Sequence, residues 1–172
     1  ERIADVQNKA AAMPYRQHAD APDFQLVRAK IRADSGEARD AVAAFQSLLS
    51  EHRYANEAAA HYGLSLALLR AGKAREARTE LDQARKAGAA SAMVEILDAR
   101  IKQVSGDAPG AAAVLVKARE RYPYSRAVAY SYIATLQDGG KNDEALLVLR
   151  DALSKYPRDA RLYSMQAKTY AS

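Results

Sequence analysis

The sequence predicts an all-α fold, a right-handed α–α superhelix of about four helix pairs. The first observation is a pattern of small and apolar residues in the stretch 140–157, and the second is its return at a fixed interval. Gly140 supplies a turn, Ala145, Leu149 and Ala152 lie on one helical face, and Pro157 ends the helix. Alanine at the first and last of these helical positions lets a neighbouring helix approach closely, as stacked helix pairs require.

The same pattern occurs at an interval of 34 residues, twice over, and then 36 residues further back. Two extra residues therefore fall in the connection around His52 to Glu57. A helix–turn–helix unit of 34 residues resembles the tetratricopeptide repeat, so the fold class is predicted to be a tetratricopeptide solenoid. The upstream copies are Gly106, Ala111, Leu115, Ala118 and Pro123; Gly72, Ala77, Leu81 and Ala84; and Gly36, Ala41, Phe45 and Leu48.

In each repeat we name the first helix A and the second helix B. The tetratricopeptide domain is predicted to cover residues 22–172, with repeats at about 22–57, 58–91, 92–125 and 126–159 and a partial repeat at 160–172. Turn glycines separate A from B, and caps and prolines mark the ends. The predicted helices are Asp23–Asp34, Ala38–Ser50, Glu57–Arg70, Ala74–Lys86, Ser91–Val104, Pro109–Arg121, Ser125–Gln137, Asp143–Lys155 and Arg158–Ser172.

Both ends of the sequence suggest a piece of a longer protein. Residues 1–21 are predicted to be a lead-in helix and loop after an upstream domain, because Ile3, Val6, Ala10 and Met13 have helical spacing and Pro14 ends the pattern. The last A helix has no B helix after it, and an open apolar face at a solenoid end normally has a cap. A trimmed linker is the alternative for the first segment.

Composition excludes several functional classes. No run of about 18 apolar residues could span a membrane. The sequence has no cysteine, which excludes disulfides and thiolate metal sites. A formal net charge of +5 is spread among acidic residues, as in Arg119-Glu120-Arg121, so it indicates solvated helix faces rather than a nucleic-acid site.

No catalytic constellation is found, and this chain is predicted not to be an enzyme and to bind no metal or cofactor. Its histidines, His18, His52 and His61, do not form the HExxH spacing that places two imidazoles on one helix face. His61 is predicted to be a half-buried packing residue. No GxSxG nucleophile motif or phosphate-binding glycine loop is present either.

The resemblance to tetratricopeptide repeats implies that the A helices line a concave, partner-binding face. Tyrosine and arginine there would give much contact energy, and the basic residues would favour an acidic segment or a C-terminal carboxylate. For each tyrosine, packing between repeats is the alternative. The candidate partner-binding residues are Leu26, Lys30, Tyr62, Leu66, Arg70, Ile96, Arg100, Tyr130, Ala134, Gln137 and Lys168.

Two further patterns refine this expectation. The lysine and asparagine clamp of chaperone-tail-binding repeats is absent, because Asn8, Asn56 and Asn142 do not fall at clamp positions. A second group of tyrosines lies around the repeat junctions, where RYPYS and KYPRD place a tyrosine beside a helix-ending proline. These tyrosines, Tyr122, Tyr124, Tyr130, Tyr132, Tyr156 and Tyr163, are predicted to join neighbouring repeats.

The first 33 residues resemble the segment that follows the catalytic domain in periplasmic zinc metallopeptidases of the β-barrel assembly-enhancing type. Arg2, Ile3, Asp5 and the run 23–30, DFQLVRAK, carry this resemblance. It implies a periplasmic location and an upstream HExxH domain that would hold zinc. It also implies that the repeats dock onto outer-membrane assembly components, misfolded clients or the protein's own protease domain.

The expected function is therefore a non-catalytic protein-interaction domain of such a metallopeptidase, which could also regulate the protease. The alternative is a free-standing tetratricopeptide scaffold or adaptor of a secretion, pilus or envelope assembly system. Repeats by themselves do not identify a partner.

Overall fold

A computed structural model describes residues 22–50 and 56–171, and these ranges contain nine α-helices and no strand. The predicted lead-in helix and the start of the enlarged connection lie outside the described residues. In chain order the helices are α1 (Pro22–Asp34), α2 (Ala38–Ser50), α3 (Glu57–Arg70), α4 (Ala74–Lys86), α5 (Ala92–Val104), α6 (Ala108–Arg121), α7 (Arg126–Asp138), α8 (Asn142–Lys155) and α9 (Ala160–Tyr170).

The helix starts follow local capping chemistry. Ser91 and Ser125, predicted as first helical residues, are instead N-caps whose hydroxyl groups accept hydrogen bonds from the backbone amides of Val94 and Val128. Asp159 caps α9 in the same way, so that helix begins two residues later than predicted. A serine or aspartate side chain satisfies an amide that the first helical turn leaves without a partner.

The turn within each pair depends on a glycine, as predicted. Gly36, Gly72, Gly106 and Gly140 have φ values of 89°, 79°, 84° and 69°, a region that residues with a Cβ seldom adopt. After α3, the backbone amide of Lys73 donates to the Leu68 carbonyl at 2.9 Å, which closes the helix end around the glycine.

The A helices form the inner layer of the array. Each of the A helices α1, α3, α5 and α7 contacts the next A helix as well as its own B helix, and the last A helix, α9, contacts α7 and α8. The B helices, α2, α4, α6 and α8, lie outside them. This is the layering of a tetratricopeptide superhelix, in which the A helices line the concave face.

The core is continuous through the two faces of α5. Leu97 and Ile101 pack with the first two repeats, whereas Ile96 and Ala99 pack with the later ones. Helix α3 has seven buried residues, more than any other described helix, as its leucines predict.

Small residues allow the close helix contacts that the sequence pattern predicts. The repeated alanines Ala77, Ala111 and Ala145 have no exposed surface. At Gly63 an added Cβ would lie 2.4 Å from the ring of Phe45, so the absence of a side chain is what admits the ring. The buried hydroxyl of Ser65 donates to the Ala77 carbonyl at 2.7 Å and fixes α3 to α4.

Candidate functional site

Basic and aromatic residues share the A-helix face. Lys30, Arg70, Arg100 and Lys168 are exposed there, on four different A helices. Tyr62 and Tyr130 are half-buried on α3 and α7. The arrangement combines flat, half-buried rings with long cationic side chains, which is a composition typical of protein-binding surfaces.

Tyr62 lies close to two arginines. Burial raises the pKa of its phenol above the ordinary value, while the positive charges of Arg100 and Arg70 act to lower it. The phenol therefore stays protonated at neutral pH and can donate a hydrogen bond. The structure brings together one hydroxyl donor and two guanidinium groups from adjacent repeats.

A cleft of about 290 Å³ opens between α5, α7 and α9 on this face, and we call it the α5–α7–α9 cleft. It is at the small end of the size range of ligand pockets, so it fits a side chain better than a cofactor. Arginines from two helices stand beside small neutral residues and one tyrosine ring. The lining residues are Ile96, Ala99, Arg100, Gln103, Leu115, Tyr130, Ser131, Ala134, Thr135 and Arg161.

Tyr130 is held in place at the cleft by the following repeat. Its hydroxyl donates to the carboxylate of Asp159, the N-cap of α9. The guanidinium of Arg161 lies 4.4 Å from the centre of the Tyr130 ring, at cation–π distance. One side chain thus fixes the register of α7 against α9 and positions a cation at the cleft.

Three predicted site residues offer less surface than expected. Leu26 is 7% exposed and packs in the core. Ile96 is 8% exposed, although it still lines the cleft. The amide nitrogen of Gln137 donates to the Met165 carbonyl at 2.9 Å and to the Thr169 hydroxyl at 2.6 Å, so this group is engaged in joining α7 to α9.

The junction tyrosines join repeats as predicted. The Tyr156 hydroxyl donates to the Tyr124 carbonyl across the junction, and the Tyr163 hydroxyl donates to the Pro157 carbonyl. Tyr132 is buried, with the Arg119 guanidinium 5.3 Å from its ring. The side chain of Tyr124 is the exception, because it is 80% exposed and contributes only its backbone.

His61 is half-buried, as predicted, and its Nδ1 lies 2.7 Å from a Glu80 carboxylate oxygen.

In the part of the chain that the structure describes, no group of three or more histidine, cysteine, aspartate or glutamate side chains is arranged to hold a metal ion. Within the same ranges no helix has the length and apolar character needed to cross a bilayer.

Arg161 is the main cleft residue that the sequence pattern does not predict. The pattern identifies residues along one stripe of each A helix, and Arg161 lies at the start of α9, off that stripe. Its side chain reaches back over Tyr130 in the preceding repeat. The sequence contains no local signal for a contact between Arg161 and a ring in another repeat. The only hint is that Arg161 lies in the first helical turn after the capping aspartate.

Protonation of Asp159 is expected to loosen α9. The hydrogen bond from Tyr130, followed by the Leu162 and Arg161 amides and the charge of Arg126, lowers the pKa of Asp159 in the folded chain. The folded-state pKa of Asp159 is thus below the ordinary aspartate pKa of about 3.9. The ionised carboxylate therefore stabilises the fold at pH values above about 3.9, and this stability is lost as pH falls through the folded-state pKa. We therefore expect the melting temperature to fall as pH drops below about 4.

Asp159→Asn tests this expectation, because asparagine retains the helix cap but does not titrate. Circular dichroism melts should show a smaller decrease with acid in this variant than in the wild-type chain. The exposed Glu120, for which no hydrogen bond or ion pair is found among the described residues, provides the matched control Glu120→Gln. An equal acid response in wild type and Asp159→Asn would exclude Asp159 as a contributor.

Comparison with known families identifies a tetratricopeptide region. Residues 105–169 match the family model described as tetratricopeptide repeat. This segment contains α6, α7, α8 and all but the last residue of α9, so it includes two of the three helices that form the cleft. A search of curated protein sequences finds no match.

Solved structures resemble the chain in fold at low sequence identity. TTC0263, a thermophilic TPR protein of Thermus thermophilus, has a TM-score of 0.79 and 18% identity over 92% of this chain and 86% of its own. YrrB, described as a TPR protein with an unusual peptide-binding site, has a TM-score of 0.62 and 18% identity, covering 91% and 80% of the two chains. MamA MSR-1 has a TM-score of 0.60 and 18% identity, covering 87% and 85%.

The periodic sequence, the layered helix pairs and these similarities all indicate the same fold. Tetratricopeptide arrays present extended concave surfaces to other proteins. The chain has the all-α superhelical fold of tetratricopeptide proteins, and residues 105–169 match the tetratricopeptide repeat family model.

Proposed function

We propose that the concave A-helix face binds an extended segment of another protein. The observation that supports this proposal most strongly is the α5–α7–α9 cleft, which opens on the face where the basic residues and half-buried tyrosines of successive repeats lie. A side chain of the bound segment would enter the cleft. The neighbouring helices would contact the rest of the segment.

The composition of the concave A-helix face favours binding of a protein segment. Tyr62 and Tyr130 have much of their ring area already fixed by packing, so contact with a partner costs little side-chain entropy. The long cations at Lys30, Arg70 and Lys168 spread positive charge along the same face and would attract an acidic segment. That YrrB is described as having a peptide-binding site in the same fold adds support.

Filling the cleft is expected to weaken binding without unfolding the array. Ala134 lines the cleft and is half-buried, so Ala134→Gln would occupy it with a neutral side chain. A short random peptide library displayed on phage, selected against the chain, supplies the probe. We expect the Kd of the selected peptides to rise about tenfold, a loss of about 1.4 kcal/mol.

The matched control is Ala113→Gln on the exposed side of α6, a B helix. It should bind as tightly as the wild-type chain, and both variants should keep the wild-type melting temperature. Unchanged binding by Ala134→Gln would place the peptide site outside this cleft.

The cellular context is a second part of the proposal. We infer from the resemblance of residues 1–33 that the repeats belong to a periplasmic zinc metallopeptidase and help it to act in outer-membrane protein assembly or quality control. The repeats would capture a partner or substrate and could regulate access to the protease domain. The same resemblance implies that zinc would be bound by an HExxH domain upstream of the repeats.

Full-length protein tests this context directly. An HExxH motif upstream of Glu1, stoichiometric zinc and recovery in the periplasmic fraction are the expected results. A full-length sequence without that motif would instead favour the alternative, a free-standing scaffold or adaptor of a secretion, pilus or envelope assembly system. The concave-face proposal does not depend on which of the two contexts is correct.

A further inference from the structure

Two arginines point to the chemistry that the α5–α7–α9 cleft recognises. Arg100 comes from α5 and Arg161 from α9, and both line the cleft. The small side chains of Ser131 and Ala134 and the ring of Tyr130, all on α7, line the same cleft. The two arginines therefore reach one cleft from two different helices.

Neither guanidinium has a carboxylate within ion-pair distance among the described residues. The salt bridges found there involve other arginines, such as Arg78, Arg85 and Arg119, which lie at repeat junctions. An arginine pair without acidic partners beside a cleft leaves positive potential for a ligand to neutralise.

Two aspartates, Asp138 and Asp159, accept hydrogen bonds from residues that line the cleft. Asp138 accepts a hydrogen bond from the Gln103 amide at 2.8 Å. Asp159 accepts from Tyr130, accepts from the first amides of α9 and lies 3.8 Å from Arg126. Asp138 keeps its charge, because its partner is a neutral amide, whereas Asp159 and Arg126 partly offset each other. Arg100 and Arg161 line the cleft itself and neither aspartate does, so the charged side chains on its wall are both cationic.

Arg161 is also preorganised. Its guanidinium lies over the Tyr130 ring, which the bond to Asp159 holds in place. A planar guanidinium presents a fork of N–H donors that matches the two oxygens of a carboxylate. Arg100 is exposed and can move to complete the contact.

We propose that the α5–α7–α9 cleft is a carboxylate-binding subsite, in which Arg100 and Arg161 together hold one carboxylate of the bound segment. The carboxylate comes from an aspartate or glutamate side chain or from a C-terminus. This proposal rests on the proposed function, because it assigns a ligand class to part of the same face. It predicts that the preferred partner places an acidic group where its chain passes α7.

The test uses peptides selected on the wild-type chain from a short random phage-display library. The best binder is synthesised as selected, with each acidic residue replaced by its amide, and with an amidated C-terminus. Replacing one carboxylate should raise the Kd about tenfold or more, the usual effect of losing a charge-assisted hydrogen bond. The position of that carboxylate distinguishes a side chain from a C-terminus.

Arg100→Gln and Arg161→Gln should each raise the Kd of the original peptide by a similar factor, and neither should affect the amide-substituted peptide further. Arg150→Gln, an exposed position on the outer helix α8, is the matched control and should leave binding unchanged. Added salt should weaken the binding of the wild-type chain more than that of a variant that carries both the Arg100→Gln and the Arg161→Gln substitution.

The outcomes separate the two proposals. Selected peptides that bind at the cleft without any dependence on a carboxylate, or equally well to both arginine variants, would overturn the carboxylate subsite and leave the concave-face function standing. Failure to select any peptide would overturn both.

Discussion

Phe45→Ala is expected to unfold the first two repeats selectively. The Phe45 ring is fully buried and lies against the backbone of Gly63. Removing it leaves a cavity that the surrounding helices cannot close, with a typical cost of about 3–5 kcal/mol. Because each repeat contacts only its neighbours, this loss should be local. Hydrogen exchange should show faster amide exchange in α1 to α3 while α7 to α9 keep their protection.

Gly63→Ala provides the reciprocal test of the same contact. Its new methyl group would lie 2.4 Å from the ring carbons, so the ring or the helix must shift. Overpacking of this kind costs about 1–3 kcal/mol. Wild-type stability in both variants would show that α2 and α3 are not packed through Phe45.

The second large effect is expected at the junction of repeats two and three. The carboxylate of Asp98 on α5 is 6% exposed and lies 3.2 Å from Arg78 and 2.9 Å from Arg85, both on α4. Replacing both arginines with glutamine would leave a buried charge without a cationic partner, with a cost of about 3 kcal/mol. Urea denaturation followed by circular dichroism measures this loss.

Adding Asp98→Asn to the double variant distinguishes charge from packing. Asparagine is nearly the same size but needs no cation, so the triple variant should recover a substantial part of the lost stability. A triple variant that is no more stable than the double variant would mean that the arginines act through their packed side chains rather than through the charge of Asp98.

The fold could be predicted from the sequence because its determinants are local. A glycine with positive φ, a capping serine or aspartate and a helix-ending proline act within a few residues of their own position. The interval between their copies then defines the pairing of helices. The predicted helix starts at Ser91 and Ser125 are wrong by one residue, because each serine is the N-cap that precedes its helix.

The candidate site could be predicted only in part. Periodicity places Tyr62, Arg100 and Tyr130 on one face, since the repeat directs the same stripe of each successive A helix toward the concave side. It does not show that Gln137 is engaged by α9, or that Arg161 reaches across to Tyr130. Such contacts depend on side-chain direction and on the distance between repeats.

The same limit explains why the sequence pattern assigns Leu26 to the binding residues. Its position in the first repeat corresponds to that of Tyr62 in the second, and the pattern alone does not distinguish a buried position from an exposed one. In the structure the leucine turns into the core that the first two repeats share. Equivalent positions in a repeat array therefore differ in exposure when residue size and the neighbouring repeat differ.

Amide NMR spectra test most directly whether the A-helix face is the docking surface. The chain would be titrated with a peptide selected on it, and perturbed resonances mapped onto the nine helices. We expect the largest shifts on α5, α7 and α9 around the cleft, with smaller shifts on α3 near Tyr62. Shifts concentrated on the outer helices α6 and α8 would contradict the account.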